Sequence, residues 1–216
     1  MKIQACIFDL DGVIVDTARF HFVAWKRLAD SLSIPFDVHD NEQLKGVSRM
    51  TSLEIILRKG NKTYTDAEKM KMASKKNTWY LELCETLTEE DILPGIVPFL
   101  DALHENQIRI GLGSASKNAV MILDKLKLTS RFQSVVDGNK IHEAKPDPQV
   151  FLKAAEDLQV KPENAVVVED AEAGIEAALR GGFYAIGIGS RNILHRAHIV
   201  LESTAELSMQ TLGKLA

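Results

Sequence analysis

The chain has 216 residues, of which 45% are hydrophobic, and carries a formal net charge of -4 from 26 Lys+Arg and 30 Asp+Glu. This apolar content is enough to bury a core that is stable without disulfide cross-links. The lack of a basic excess argues against nucleic acid or an anionic membrane surface as partner. Two cysteines make no disulfide framework, and no apolar run is long enough to span a membrane. We therefore expect a cytoplasmic protein.

The first stretch of the chain combines a buried strand with two acids. Residues 3–8 are mainly apolar on both faces, which is typical of a strand inside a parallel sheet. Asp9 and Asp11 follow where this strand should end, and Gly12 permits a sharp exit. Asp9 is placed to attack phosphorus and hold a metal, and Asp11 to move a proton. The alternative is an Asp-Gly turn that only closes a strand.

The next 70 residues or so have the pattern of helices. Apolar residues recur at helical spacing from Ala18 onward, and further helices are predicted over 52–59 and over 67–85, the latter capped by Thr65. Strand signals are lacking in this region. We interpret residues 16–92 as a helical cap domain inserted into a core made of residues 1–15 and 93–216.

Strands and helices alternate after this block. Strands are predicted over 108–112, 133–136, 165–168 and 183–186, with an edge strand at 199–201 and a last helix over 205–215. Such alternation predicts an α/β fold with a doubly wound parallel sheet.

Four polar segments should meet at the carboxyl edge of this sheet: 9–11, 114–118, 145–146 and 169–170. A carboxylate that attacks a phosphate needs nearby cations and donors to offset repulsion. Lys145 and Ser114 suit that need, and Mg²⁺ bridging Asp9 and Asp170 would add to it. Taken singly, these residues have plainer explanations: a helix N-cap for Ser114, a solvated loop for Lys145 and a polar strand end for 169–170.

The joint pattern resembles a known family. Asp9-Leu10-Asp11-Gly12-Val13 with Asp16-Thr17, then Ser114, Lys145 before Pro146, and Glu169-Asp170 are similar in order to the four motifs of the haloacid dehalogenase-like phosphotransferases. The resemblance implies that Asp9 forms an aspartyl-phosphate and that Asp11 is the general acid/base. It also implies a Mg²⁺ site made by Asp9, Asp11, Glu169 and Asp170.

Segments of the cap and of one core loop resemble the sugar-phosphate mutases of that family. This closer likeness implies an enzyme that interconverts β-glucose 1-phosphate and glucose 6-phosphate through β-glucose 1,6-bisphosphate. Separately, we expect the chain to act as a monomer. A mutase needs a second anion site, for which Arg49 has suitable donors. The residues expected to bind sugar or phosphate are Thr17, His21, Trp25, Gly46, Val47, Ser48, Arg49, Ser52, Lys76, Asn77, Ser114, Ala115, Ser116, Lys117, Asn118 and Lys145.

Two other functions stay open at this point. A sugar-phosphate phosphatase on the same scaffold would use the same core residues and differ in what its cap admits. A binding protein without activity would keep the fold, but the intact set Asp9, Asp11, Lys145 and Asp170 argues against it. Ala171 departs from the mutases of the family best known to us, which carry Ser there.

Overall fold

The computed structural model describes residues 3–215 and contains one parallel six-stranded sheet. The strand order is β3-β2-β1-β4-β5-β6, so the first strand lies in the middle with later strands added on both sides. The predicted doubly wound fold is confirmed. The strands are β1 Ala5–Phe8, β2 Arg109–Gly113, β3 Ser134–Val136, β4 Ala165–Glu169, β5 Tyr184–Ile188 and β6 Ile199–Leu201.

A block of helices separates β1 from β2 in the chain. Its members are α1 Ala18–Ser31, α2 Val38–Glu42, α3 Arg49–Lys59 and α4 Asp66–Cys84. Thr65 caps α4 as predicted. Helix α3 begins three residues before the prediction because Ser48 accepts a hydrogen bond from the Thr51 N–H and so fixes its N-terminus. These helices pack around an apolar cluster of their own that includes Trp25 and Leu53. They form the helical cap.

Helices cover both faces of the sheet. The core helices are α5 Ile96–Glu105, α6 Ala119–Lys125, α7 Gln149–Asp157, α8 Glu172–Arg180 and α9 Met209–Gly213. The prediction of one helix over 205–215 is wrong. Leu207 is extended between a 3₁₀ turn at Thr204–Glu206 and α9, and Ser203 and Ser208 each cap a separate short element.

Alternation along β1 explains why this strand is central. Cys6 and Phe8 belong to the apolar cluster on one face of the sheet, whereas Ala5 and Ile7 belong to the cluster on the other. All four side chains are fully buried. Because Phe8 is in register with Leu112 and with Val168, the residues after β1, β2 and β4 emerge side by side. This register assembles the site.

The two links between cap and core run alongside each other. The Leu93 N–H donates to the Ile14 carbonyl oxygen at 2.9 Å, and Val15 bridges to Ile92. The linking segments 13–17 and 89–94 therefore lie together, while the exact domain limits at 15/16 and 92/93 stay predictions. Among residues 3–215, no helix has the length and apolar character required to cross a membrane.

Candidate active site

A cavity of about 740 Å³ lies over the carboxyl edge of the sheet, between core and cap. It is lined by all but five of the predicted site residues, from Asp9 and Asp11 on the core to Arg49 and Lys76 on the cap. The other five are Thr17, Asn77, Asn118, Lys145 and Glu169, each of which contacts another predicted site residue. The structure thus brings the predicted residues together.

Asp9 lies at the end of β1 beside a buried ammonium. Lys145 Nζ donates to Asp9 Oδ1 at 2.5 Å and to Glu169 Oε1 at 2.7 Å. Burial alone disfavours the Lys145 ammonium, but the Asp9 and Glu169 carboxylates outweigh it and raise the lysine pKa. Burial raises the pKa of Asp9, and Lys145 opposes that rise. The contacts leave Asp9 Oδ2 as the oxygen available for attack.

Glu169 differs from a simple metal ligand in its surroundings. Its side chain is fully buried, and Oε2 accepts a hydrogen bond from the Ala171 N–H at 2.7 Å while Oε1 accepts from Lys145. Both oxygens are thus engaged by protein donors. In this arrangement Glu169 supports Lys145, and its role as a metal ligand stays a prediction.

Asp11 is held by donors from the start of the cap and from its last helix, α4. Thr17 Oγ1 donates to Asp11 Oδ1, Tyr80 OH lies 3.4 Å from the same oxygen, and His21 Nε2 lies 3.6 Å away. Burial raises the pKa of Asp11, and the hydrogen bond from Thr17 lowers it in opposition. Because all three contacts go to Oδ1, Oδ2 is left to exchange a proton with a bound hydroxyl.

Lys76 is an almost fully buried cation at the roof of the cavity. Its ammonium lies 4.6 Å from the Trp25 ring centroid and 4.9 Å from that of Tyr80, and it contacts His21 Nδ1 at 2.7 Å. Burial and the charge of Arg49 lower the pKa of Lys76 to about 7. Burial and Lys76 likewise lower the pKa of His21. A neutral His21 then accepts at Nδ1 and presents its N–H to Asp11.

Arg49 is a second cation without a matching carboxylate. It is the first residue of α3, is partly buried, and forms no salt bridge within the described part of the chain. Burial lowers its pKa. Two cations that repel each other in a partly enclosed cavity are a costly arrangement unless an anion binds between them.

The loop after β2 supplies the core side of the cavity. Ser114 is buried at its start, and Ser114 Oγ accepts from the Ser116 N–H at 3.1 Å. Ser116 Oγ accepts from the Asn118 N–H at 3.2 Å, which leaves the Ser116 hydroxyl hydrogen free to donate. Asn118 Nδ2 donates to Asn77 Oδ1 of α4 at 3.0 Å, so core and cap touch here.

The acids at the sheet edge fit a small, hard divalent cation. Asp9 is buried and the Asp170 side chain is 10% exposed, and burial together with Glu169 raises the pKa of Asp170 to about 7. Carboxylates whose charged form is disfavoured by burial gain stability from added positive charge. Among residues 3–215, no three His, Cys, Asp or Glu side chains form a complete metal cage. The pair Asp9 and Asp170 suits Mg²⁺, because this ion takes one or two carboxylates and completes its shell with water and substrate phosphate.

Three contributors to the site were not among the predicted residues. Tyr80 lies one helical turn after Lys76, stacks on His21 and contacts Asp11. Lys45 Nζ lies 3.3 Å from Asp170 Oδ2 and 3.2 Å from Glu42 Oε2. Gly12 has φ +87°, and a Cβ there would come within 2.4 Å of Asp170 Oδ2. The sequence carried two signals for these residues, the i, i+4 spacing of Lys76 and Tyr80 and the sharp exit predicted at Gly12.

Fold and site together define an enzyme class. A carboxylate at a strand end, a buried lysine, a hydroxyl-bearing loop and a second carboxylate nearby are the groups that phosphoryl transfer through an aspartyl-phosphate requires. A family model described as haloacid dehalogenase-like hydrolase matches residues 3–182. The chain belongs to this family, which confirms the predicted resemblance, and magnesium dependence is typical of the family.

Two β-phosphoglucomutases and one carbohydrate phosphatase are similar to this chain over most of its length. The chain is 46% identical over 211 residues to a β-phosphoglucomutase from Bacillus subtilis, covering 97% of this chain and 93% of the relative. A solved β-phosphoglucomutase from Clostridium difficile superposes with a TM-score of 0.95 at 43% identity, covering 99% and 96% of the two chains. A phosphorylated carbohydrates phosphatase from Thermotoga maritima is 31% identical over 205 residues, covering 94% and 92%.

Proposed function

We propose that this chain is a β-phosphoglucomutase that interconverts β-glucose 1-phosphate and glucose 6-phosphate. The observation that carries the proposal is the pair of anion-binding ends in one cavity. Asp9, Lys145 and Ser114 make the reacting end, while Arg49 and the loop 116–118 make the other. A sugar that carries two phosphates has the matching charge pattern.

The proposed reaction begins with a phosphoryl group on Asp9. A sugar hydroxyl attacks the phosphorus as Asp11 Oδ2 accepts its proton, and the product is a bisphosphate that leaves Asp9 free. The bisphosphate then reverses its orientation in the cavity. Asp9 attacks the other phosphoryl group while Asp11 returns the proton to the leaving oxygen. Proton transfer of this kind contributes roughly 10² to 10⁴ in rate.

Three features of the site support these roles. Lys145 neutralises charge beside Asp9, and Thr17, Tyr80 and His21 orient Asp11 through its other oxygen. Asp9, Asp170 and, by family resemblance, Asp11 and Glu169 would hold Mg²⁺. When bound, this ion supplies positive charge to the phosphoryl oxygens. The cap would exclude water, which otherwise hydrolyses the phosphorylated aspartate.

The proposed setting is the cytosol, with the chain acting as a monomer on a small sugar phosphate. Cys6 and Cys84 are both unpaired and buried, which is compatible with a reducing compartment.

The deciding experiment measures two products at once. The purified protein is incubated with Mg²⁺, β-glucose 1-phosphate and a trace of β-glucose 1,6-bisphosphate. We expect glucose 6-phosphate to form with little free phosphate, because the cap excludes water. Stoichiometric free phosphate would instead make the chain a sugar-phosphate phosphatase, the second candidate, which the Thermotoga maritima relative favours.

A further inference from the structure

The turn that follows β3 is clamped onto the loop after β2. The Gly138 N–H donates to the Ser116 carbonyl oxygen at 3.1 Å, and Asn139 Nδ2 donates to the Lys117 carbonyl oxygen at 3.0 Å. These are consecutive carbonyls of the loop that, like Arg49, lines the cavity. Two donors from one turn therefore engage the backbone of that loop.

The turn is also held by hydrogen bonds of its own. Asp137 is 4% exposed, and its Oδ1 accepts from the Asn139 N–H at 2.9 Å while its Oδ2 accepts from Asn139 Nδ2 at 2.9 Å. Both hydrogens of the Asn139 amide thus have acceptors, Asp137 and Lys117. Gly138 packs so closely that a Cβ would come within 2.3 Å of the Ala115 carbonyl oxygen.

The clamp matters because of what an anion-binding loop must present. Carbonyl oxygens repel phosphate oxygens, whereas N–H, hydroxyl and ammonium groups attract them. With the Ser116 and Lys117 carbonyls engaged by the turn, the loop offers the Ser116 hydroxyl and the Lys117 ammonium to the cavity.

We propose that Asn139, anchored by Asp137, is a positioning residue for the distal phosphate site. It keeps the Lys117 carbonyl engaged and so fixes the loop 116–118 in the conformation that binds the phosphate remote from Asp9. Asn139 does not line the cavity and is exposed to solvent. The inference rests on the proposed function, because that function requires the distal site.

The test is a binding measurement in an Asp9→Asn background, in which turnover is removed. Isothermal titration with Mg²⁺ present gives the Kd of β-glucose 1,6-bisphosphate and, separately, of inorganic phosphate, which probes the reacting end. We expect Asn139→Ala to weaken the bisphosphate about tenfold, the value of roughly one hydrogen bond to a loop that carries charge. The Kd of inorganic phosphate should stay within about twofold.

Asn106→Ala is the matched control. Asn106 Nδ2 also donates to a backbone carbonyl, that of Ala102, at 2.8 Å, and it is likewise exposed, but it ends α5 just before β2, away from the cavity. This variant should bind both ligands like its parent. Gly138→Ala is a second probe of the clamp: it should displace the loop and weaken the bisphosphate at least as much, again selectively. Melting temperatures identify any loss of fold.

The outcomes separate the two proposals. If the parent binds the bisphosphate no tighter than inorganic phosphate, the distal site itself is absent, and the proposed function falls with the inference. If the parent prefers the bisphosphate and Asn139→Ala behaves like Asn106→Ala, only the inference is overturned. An equal loss of both ligands in Asn139→Ala would also overturn it, because the effect would not be confined to the distal end.

Discussion

Asp9 and Asp11 stand two residues apart, yet their surroundings prepare them for different roles. Asp9 contacts a buried ammonium, which favours its carboxylate form, whereas Asp11 contacts only the neutral donors of Thr17, Tyr80 and His21. Burial raises the pKa of both. The charge beside Asp9 favours a nucleophile, and the neutral donors around Asp11 suit a group that gains and loses a proton.

Replacing the nucleophile tests the first of these roles. Asp9→Asn should abolish the phosphoenzyme and lower mutase turnover by roughly 10⁴-fold or more, since no covalent intermediate can form. Mass spectrometry after acid quench detects the phosphoenzyme. Asp16→Asn is the control, because Asp16 is a half-exposed carboxylate 3.7 Å from Arg19 Nε. Substantial mutase turnover in Asp9→Asn would refute the assignment.

Lys76 is a residue whose charge costs stability. The pKa of Lys76 is about 7 in the folded chain, against an ordinary value of 10.5. The buried charge therefore lowers the free energy of unfolding by its full amount below about pH 7, and by progressively less from there to about pH 10.5. Lys76→Met should therefore raise the Tm at pH 6 by about 3 °C or more, and by less at pH 9. Lys75→Met, on an exposed neighbour, should change little. A Tm gain that is equal at both pH values, or a loss, would contradict the burial of a charged Lys76.

At the scale of the element, the N-terminus of α3 carries the distal charge. Ser48 fixes where the helix begins, and Arg49 follows as its first residue. Arg49 therefore lies at the positive end of the helix dipole. The loop after β2 faces it from the core. Neither element alone makes an anion site, because each presents only one or two cations, and solvent would surround these if the other element were absent.

Removing the Arg49 guanidinium should lower two activities of the enzyme to different extents. Arg49→Ala should lower mutase kcat/KM about 10²-fold, the loss of two charge-assisted hydrogen bonds, while hydrolysis of a small aryl phosphate changes less than about threefold. Arg58→Ala, on the exposed last turn of the same helix, controls for helix effects. If both activities fall equally in Arg49→Ala, Arg49 does not serve a distal phosphate.

At the scale of the whole molecule, closing the cap over the core encloses charge. Lys45 of the cap lies 3.3 Å from Asp170 of the core, yet burial still raises the Asp170 pKa from 3.8 to about 7. A raised carboxyl pKa contributes stability that is fully present below the unfolded value and is lost as the pH rises through about 7. The metal-free chain should therefore bear the charge of Asp170 as a cost at pH 8.

This cost is measurable by comparing two chains in chelator. Asp170→Asn should melt above its parent at pH 8 and by a smaller margin at pH 5, because at pH 5 the folded parent carboxyl is protonated and only the ionisation of the unfolded carboxyl still costs stability. Mg²⁺ should raise the Tm of the parent at pH 8 and raise that of Asp170→Asn far less, since the ion loses a ligand. Equal Mg²⁺ shifts in both chains would argue against Asp170 as a ligand.

The sequence by itself determined the sheet, the helical cap and the order of the core motifs. Apolar runs such as 165–168 can only be buried strands or helices, and acids or hydroxyls directly after them must emerge at one edge of a parallel sheet. Spacing and the family resemblance were enough to predict which residues meet. The same local signals were insufficient after residue 203, where two serine caps divide what its apolar pattern predicted as one helix.

Only the tertiary structure decided how these residues act on one another. Three contacts join segments that are far apart in the chain: Tyr80 with Asp11, Lys45 with Asp170, and Asn139 with the loop 116–118. No periodicity or spacing encodes such contacts, because they depend on how the cap and the turn after β3 pack against the sheet. The same packing excludes water from Lys76 and Asp170, and this desolvation shifts their pKa values by amounts that the residue types alone do not specify.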